Sequence, residues 1–157
     1  MRTLLIWPIL PNSFWSYQAT LDLAGLRATN PPLGLLTVAT LLPQDWEFRL
    51  IDRNVQLETD ADWEWCDLVI ISAMVIQKQD FQDLIRKGVA LGKKVAVGGP
   101  FPTSVPDVAL EAGAHYLILD EGNHDSHVCR STGKRRRTGR IPDVGKTRCH
   151  PNPDSPL

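Results

Sequence analysis

The residues best placed to do chemistry are small ones at the ends of apolar runs. Ser72, Ala73 and Met74 close the run that begins at Asp67, and Gly98, Gly99 and Pro100 close a shorter run from Lys94 to Val97. A β-branched apolar run without polar alternation reads as a strand covered on both faces, which places it in a parallel sheet between helices. Ligands of such sheets bind beyond the carboxyl ends of the strands, where these small residues stand. A serine hydroxyl can donate and accept hydrogen bonds. A glycine, lacking Cβ, lets a ligand approach the backbone closely. Each also has a plainer reading: Ser72 can satisfy local backbone, and the glycine pair can make a tight turn before Pro100. The chemistry on offer is binding. No Gly-x-Gly-x-x-Gly or P-loop is present, so a nucleotide site has no motif. Trp7-Pro8-Ile9 lacks the acidic cluster of a receiver domain, and prolines stand where a flavin phosphate loop would need Ser, Thr or Gly. A stand-alone flavodoxin-like or receiver-like regulatory domain, or a nucleotide-binding domain, is therefore the alternative reading.

The elements that must carry these residues follow from periodicity. Thr3 to Trp7 reads as a first strand, stopped by Pro8 and Pro11. A long aromatic loop follows, with Phe14, Trp15 and Tyr17. Its rings can pack over the sheet end or wall a flat ligand's site, and the sequence does not choose between these. Pro31 to Leu42 reads as a helix with proline in its first turn, ended by Pro43. It is apolar nearly all round, which predicts deep burial. Glu47 to Ile51 is a second strand, Asp60 to Trp65 a short acidic helix or turn, and the run from Asp67 a third strand. Gln79 to Leu91 has helical periodicity with Gly92 as its stop. Lys94 to Val97 is a fourth strand, Val105 to Ala112 a short helix ending near Gly113, and His115 to Leu119 a fifth strand. Strands alternating with helices five times over about 120 residues give an α/β, doubly wound, Rossmann- or flavodoxin-like fold. Its five parallel strands are expected in the order 2-1-3-4-5.

The 157 residues suffice for one domain with a real core. The formal net charge of −1 conceals an asymmetry. Residues 1–122 hold 9 Lys and Arg against 15 Asp and Glu, a net of −6, whereas residues 123–157 hold 8 against 3, a net of +5. Cys66, Cys129 and Cys149 are too few and too scattered for a disulfide framework. A reducing, cytoplasmic setting is expected. No apolar run approaches the ~20 residues of a membrane span. The basic-then-apolar N-terminus lacks a cleavage site and reads as a strand.

Periodicity stops after Gly122, so the chain divides into a domain of residues 1–122 and a disordered basic tail of residues 123–157. Three readings of the tail compete. His124, His127, Cys129, Cys149 and His150 are zinc-type ligands, but their spacing matches no common pattern. Lys134-Arg135-Arg136-Arg137 could be a nucleic-acid arm, but no aromatic residues interleave the charges. The preferred reading is a frameshift near Gly122. A nucleotide string exists that encodes this tail and, read one base later, an amphipathic stretch followed by a polar loop. No metal site and no nucleic-acid partner are expected.

Taken in order, Leu4-Leu5-Ile6-Trp7-Pro8, Phe14-Trp15-Ser16, Pro31-Pro32-Leu33-Gly34-Leu35-Leu36-Thr37-Val38-Ala39, Ser72-Ala73-Met74 and Gly98-Gly99-Pro100 resemble one family. It is the cobalamin (B12)-binding N-terminal domain of radical S-adenosylmethionine (SAM) proteins, in the subgroup of hopanoid-methylase-like proteins. The resemblance covers about residues 1–122, and the shifted-frame peptide resembles the linker that follows this domain. It implies cobalamin at the carboxyl ends of the strands. Ser72 and Met74 would line a pocket for the nucleotide tail, and Gly98, Gly99 and Pro100 would bring backbone close to the ligand. Asn12 and Ser13 would face the corrin, and Glu121 would follow strand five at the same rim. The Asp-x-His-x-x-Gly motif that supplies an axial histidine in many cobalamin domains is absent. The resemblance therefore implies base-off cobalamin with no protein histidine on cobalt. In the family a second domain holds a [4Fe–4S] cluster and SAM through Cys-x3-Cys-x2-Cys. The three cysteines here do not supply that motif. The chain is thus expected to be a cobalamin-binding fragment, without catalytic residues of its own, whose radical SAM domain is missing.

Overall fold

A computed structural model describes residues 1–11, 18–26, 31–119, 127–132 and 135–138. At its centre are three strands with little polar alternation: β1 (Arg2–Trp7), β3 (Leu68–Ser72) and β4 (Lys94–Gly98). β2 (Glu47–Asp52) flanks β1, and β5 (Tyr116–Leu119) flanks β4. The five pair in parallel in the order β2-β1-β3-β4-β5, as the sequence implies. Register is set by the buried residues, with Thr3 opposite Leu68, Ile6 opposite Ile71 and Ser72 opposite Gly98.

Because successive side chains point to opposite faces, the sheet builds two cores. On one face Leu4, Ile6, Val69, Ile71, Val95 and Val97 meet α3 (Asp60–Trp65), α4 (Lys78–Ala90), α5 (Pro100–Ser104) and α6 (Pro106–Glu111). Trp63, Phe81, Leu84, Ile85, Phe101 and Ala109 fill that layer. On the other face Leu5, Leu68, Ile70, Ala96 and Tyr116 meet Leu35 of α2 (Leu33–Leu41), together with Leu42 and Trp46. The helix α1 (Gln18–Ala24) precedes α2.

One expectation needs correction. The deep burial expected of α2 does not hold. Leu35 is its one buried residue, while Leu33 and Leu41 are 65% and 54% exposed. A helix apolar all round has no preferred face, and here a single ridge of it touches the sheet. Gly98-Gly99-Pro100 ends β4 as expected, and it leads directly into α5 with proline in the first turn, where its missing N–H costs nothing.

Two further strands, β6 (His127–Thr132) and β7 (Arg135–Thr138), lie in the stretch the sequence assigns to a disordered tail. β6 pairs antiparallel with β5, and β7 with β6. They cover backbone groups that β5 would otherwise present at an open edge. The tail's other residues lie outside those described.

The amino end of the sheet is tied by polar contacts. Asp67 Oδ2 accepts from the Arg2 backbone N–H at 3.0 Å, and its Oδ1 pairs with the Arg2 guanidinium at 3.0 Å. These bonds hold the Asp67 carboxyl below its ordinary range. At the start of α3, Thr59 Oγ1 accepts from Asp62 N–H at 3.3 Å, and Asp62 Oδ2 accepts from Thr59 N–H at 2.9 Å. This reciprocal cap lowers the Asp62 pKa, mainly through the Thr59 backbone bond. It sets Trp63 against the sheet.

Candidate functional site

The carboxyl ends of β3 and β4 stop side by side beneath α2. Between them and the helix lies a cavity of about 450 Å3, in the size range of small-molecule sites. Gly34, Leu35 and Val38 form its roof, Ile70, Ile71, Ser72 and Ile118 its floor, and Gly98, Gly99, Pro100 and Thr103 its end. None of these side chains ionises, so the described lining offers a neutral surface with two hydroxyls. It suits an uncharged, flat group with a few polar atoms and gives no charge to a phosphate.

Of the residues the sequence proposed, Ser72, Gly98, Gly99 and Pro100 come together here. Met74 does not line the cavity. It is half-buried one turn further on, where its N–H donates to Gln77 Oε1 at 2.8 Å. Asn12, Ser13 and Glu121 lie outside the described residues. The glycine pair has a local cause. Gly99 has φ 94°, and a Cβ there would overlap Ser72 Oγ and stand 3.3 Å from the Ala73 backbone. A Cβ on Gly98 would meet the Ile118 carbonyl at 3.4 Å. The absent side chains thus let the β3 and β4 ends close on one another, and the same closeness leaves bare backbone at the cavity. Phe101 N–H donates to the Ala73 carbonyl at 3.0 Å and Thr103 N–H to the Gly99 carbonyl at 3.1 Å, which locks α5 onto this corner.

Two features were not read from the sequence. Thr103 borders the cavity, and its Oγ1 is buried without a hydrogen-bond partner among the described residues. A buried unpaired hydroxyl costs about 1–3 kcal/mol, so a ligand atom that paired with it would recover that loss. Gly34 sits in α2 with nothing within 4 Å of where a Cβ would be. A glycine in a helix is a signal of this kind, since it costs roughly 0.5–1 kcal/mol against alanine. Nothing in the sequence singled out Thr103.

Among the described residues no group of three His, Cys, Asp or Glu is arranged to hold a metal. His115 stands at the amino ends of β4 and β5, opposite the cavity, where its Nδ1 accepts from Val95 N–H at 3.2 Å. Cys66 is buried at the same far end, and burial pushes its thiol pKa up. No described helix is long and apolar enough to cross a membrane.

A five-stranded doubly wound sheet with a neutral cavity at the carboxyl ends of its strands is the architecture that the cobalamin resemblance implies. Residues 20–127 match the family model of the B12 binding domain, and the chain belongs to that family. It is 57% identical over 122 residues to an uncharacterized methyltransferase of Synechocystis sp., covering 78% of this chain and 23% of the relative. It is 36% identical over 107 residues to the hopanoid C-2 methylase of Rhodopseudomonas palustris, covering 68% of this chain and 20% of that protein. The chain thus spans less than a quarter of the length of either relative.

Proposed function

We propose that this chain is the cobalamin-holding module of a longer radical SAM methyltransferase-like enzyme, with the [4Fe–4S] cluster and SAM carried by a separate domain. The observation that carries the reading is the convergence of Ser72, Gly98, Gly99 and Thr103 on one neutral cavity at the carboxyl ends of β3 and β4. The cavity has room for a heterocycle with its sugar, and it is too small for a corrin with its side chains. The nucleotide tail would enter it, and the corrin would lie outside, over the carboxyl ends of the strands.

Cobalamin supplies a cobalt centre suited to carrying methyl groups. This chain's residues supply position. Ser72 Oγ and Thr103 Oγ1 would pair with polar atoms of the tail, backbone at Gly98 and Gly99 would contact it closely, and Leu35, Val38 and Ile70 would exclude water from its ring. Cobalt would be held base-off without a protein imidazole, in a cytoplasmic enzyme. Support for the methyl-transfer setting comes from the names of the two relatives.

The test is to incubate the 157-residue chain with hydroxocobalamin, remove free corrinoid by gel filtration and record the absorbance. Retained corrinoid with a base-off spectrum is the expected result. A colourless protein fraction would sink the cobalamin reading, and a spectrum of histidine-ligated cobalt would sink the axial assignment alone.

A further inference from the structure

The cavity beneath α2 has few partners to offer a polar atom. Among its described lining residues, Leu35, Val38, Ile70, Ile71 and Ile118 are aliphatic, and only Ser72 and Thr103 carry a polar side-chain atom. The backbone at the cavity end is already engaged. The Ala73 carbonyl accepts from Phe101 N–H at 3.0 Å, and the Gly99 carbonyl from Thr103 N–H at 3.1 Å. The Gly98 carbonyl accepts from Ala73 N–H at 3.4 Å, and the Pro100 carbonyl from Ser104 Oγ at 2.8 Å. The bonds that close this corner thus use the acceptors that a ligand would otherwise find there.

Cobamides differ from one another in the base that ends the nucleotide tail. In cobalamin it is dimethylbenzimidazole, which has two methyl groups and, once off cobalt, one free ring nitrogen. In adenine-tailed cobamides it is a purine, with further ring nitrogens and an amino group that donates twice. The outlines of the two bases are similar, so shape separates them poorly. Their polar groups separate them well. One hydroxyl satisfies the free nitrogen of the benzimidazole, and its methyl groups suit a lining of leucine, valine and isoleucine. The purine asks for two acceptors and several donors, which two hydroxyls cannot supply. A polar group buried without a partner loses its bonds to water and regains nothing.

We propose that this cavity selects cobamides by their lower base, accepting the benzimidazole class and rejecting purines. Val38 on the roof and Ile118 on the floor are specificity-determining residues, because they withhold polar partners from the base. Discrimination of this kind works against the wrong ligand as much as for the right one. The proposal rests on the cobalamin reading above and narrows it to one class of tail. Val38 and Ile118 are both half-buried. Val38→Thr and Ile118→Thr each add a hydroxyl to the lining while keeping a β-branched side chain. Two separate positions keep the test intact should one variant fail to fold. Thr59→Ala removes the remote α3 cap and controls for general destabilisation.

The affinities of the unaltered chain for hydroxocobalamin and for its adenine-tailed counterpart are measured by absorbance titration. The expectation is binding of the adenine form weaker by about tenfold, equivalent to ~1.4 kcal/mol. Each threonine variant should narrow that preference severalfold, chiefly by tightening the adenine form, and Thr59→Ala should leave it unchanged. Equal affinities in the unaltered chain, or tighter binding of the adenine form, overturn the selectivity and leave the cobalamin reading standing. A preference that both threonine variants preserve, or that Thr59→Ala narrows equally, overturns the assignment to Val38 and Ile118. Uptake of neither cobamide overturns the cobalamin reading and the selectivity with it.

Discussion

The two faces of this sheet are covered to different depths. Beneath α3 to α6 the layer is solid: Trp63, Phe81, Ile85 and Phe101 are at most 3% exposed, and the Phe81 and Phe101 rings meet edge-on with centroids 5.6 Å apart. Beneath α2 Leu35 is the one fully buried residue, with Val38 and Ala39 partly buried beside it, and an open cavity lies alongside. Strands buried on both sides supply the same aliphatic surface to each layer, so the difference comes from the helices. Four helices, of which α4 buries Phe81, Leu84 and Ile85, close one side. A single helix with no distinct face leaves the other side partly open. The filled layer holds the fold together, and the thin one leaves room for a ligand.

That division can be broken or sharpened by single substitutions, ordered here by their effect on stability. Phe81→Ala in the filled layer should cost about 3–5 kcal/mol, read as a lower midpoint in urea. A cost below ~1 kcal/mol would mean that this layer is loosely packed too. Thr103→Val at the cavity end should raise stability by about 1 kcal/mol, because it removes a hydroxyl without a partner. It should also weaken hydroxocobalamin binding severalfold. Lower stability would show that Oγ1 has a partner in solution. Gly34→Leu should change stability least, a gain of at most ~1 kcal/mol from helix propensity, because nothing stands where its side chain would start. The same change fills the cavity and should abolish corrinoid retention. Undiminished retention would place the ligand elsewhere.

The strands were readable because burial on two faces leaves uninterrupted aliphatic runs, and Leu68–Ser72 is the plainest of them. Strand order followed from the alternation with helices, and the rim residues followed from the order: Ser72 and Gly98 had to end adjacent strands on the same side. What was hidden depends on contacts across the fold. Gly34 and Val38 form the cavity roof only because α2 crosses above β3 and β4. Thr103 belongs to the site because a five-residue helix grows out of Gly99-Pro100, where the composition suggests a break. α1 escaped notice because Gln18–Ala24 is seven residues long, two turns, too short for a helical period to show. Gln77 gives no periodic signal, since its amide bonds the Met74 N–H three residues back and the Pro8 carbonyl far away in sequence.

The contact between Ser72 and Gly99 also limits how this site can be remodelled by mutation. A larger residue at 99 meets the serine oxygen first and a left-handed backbone second, so shortening Ser72 to alanine relieves only half of the obstacle. Any viable route must move the Ser72 hydroxyl aside and must also reshape the backbone at the start of α5. The corner is therefore a dead end for one-step diversification, and new ligand preferences are more accessible from the helix above it.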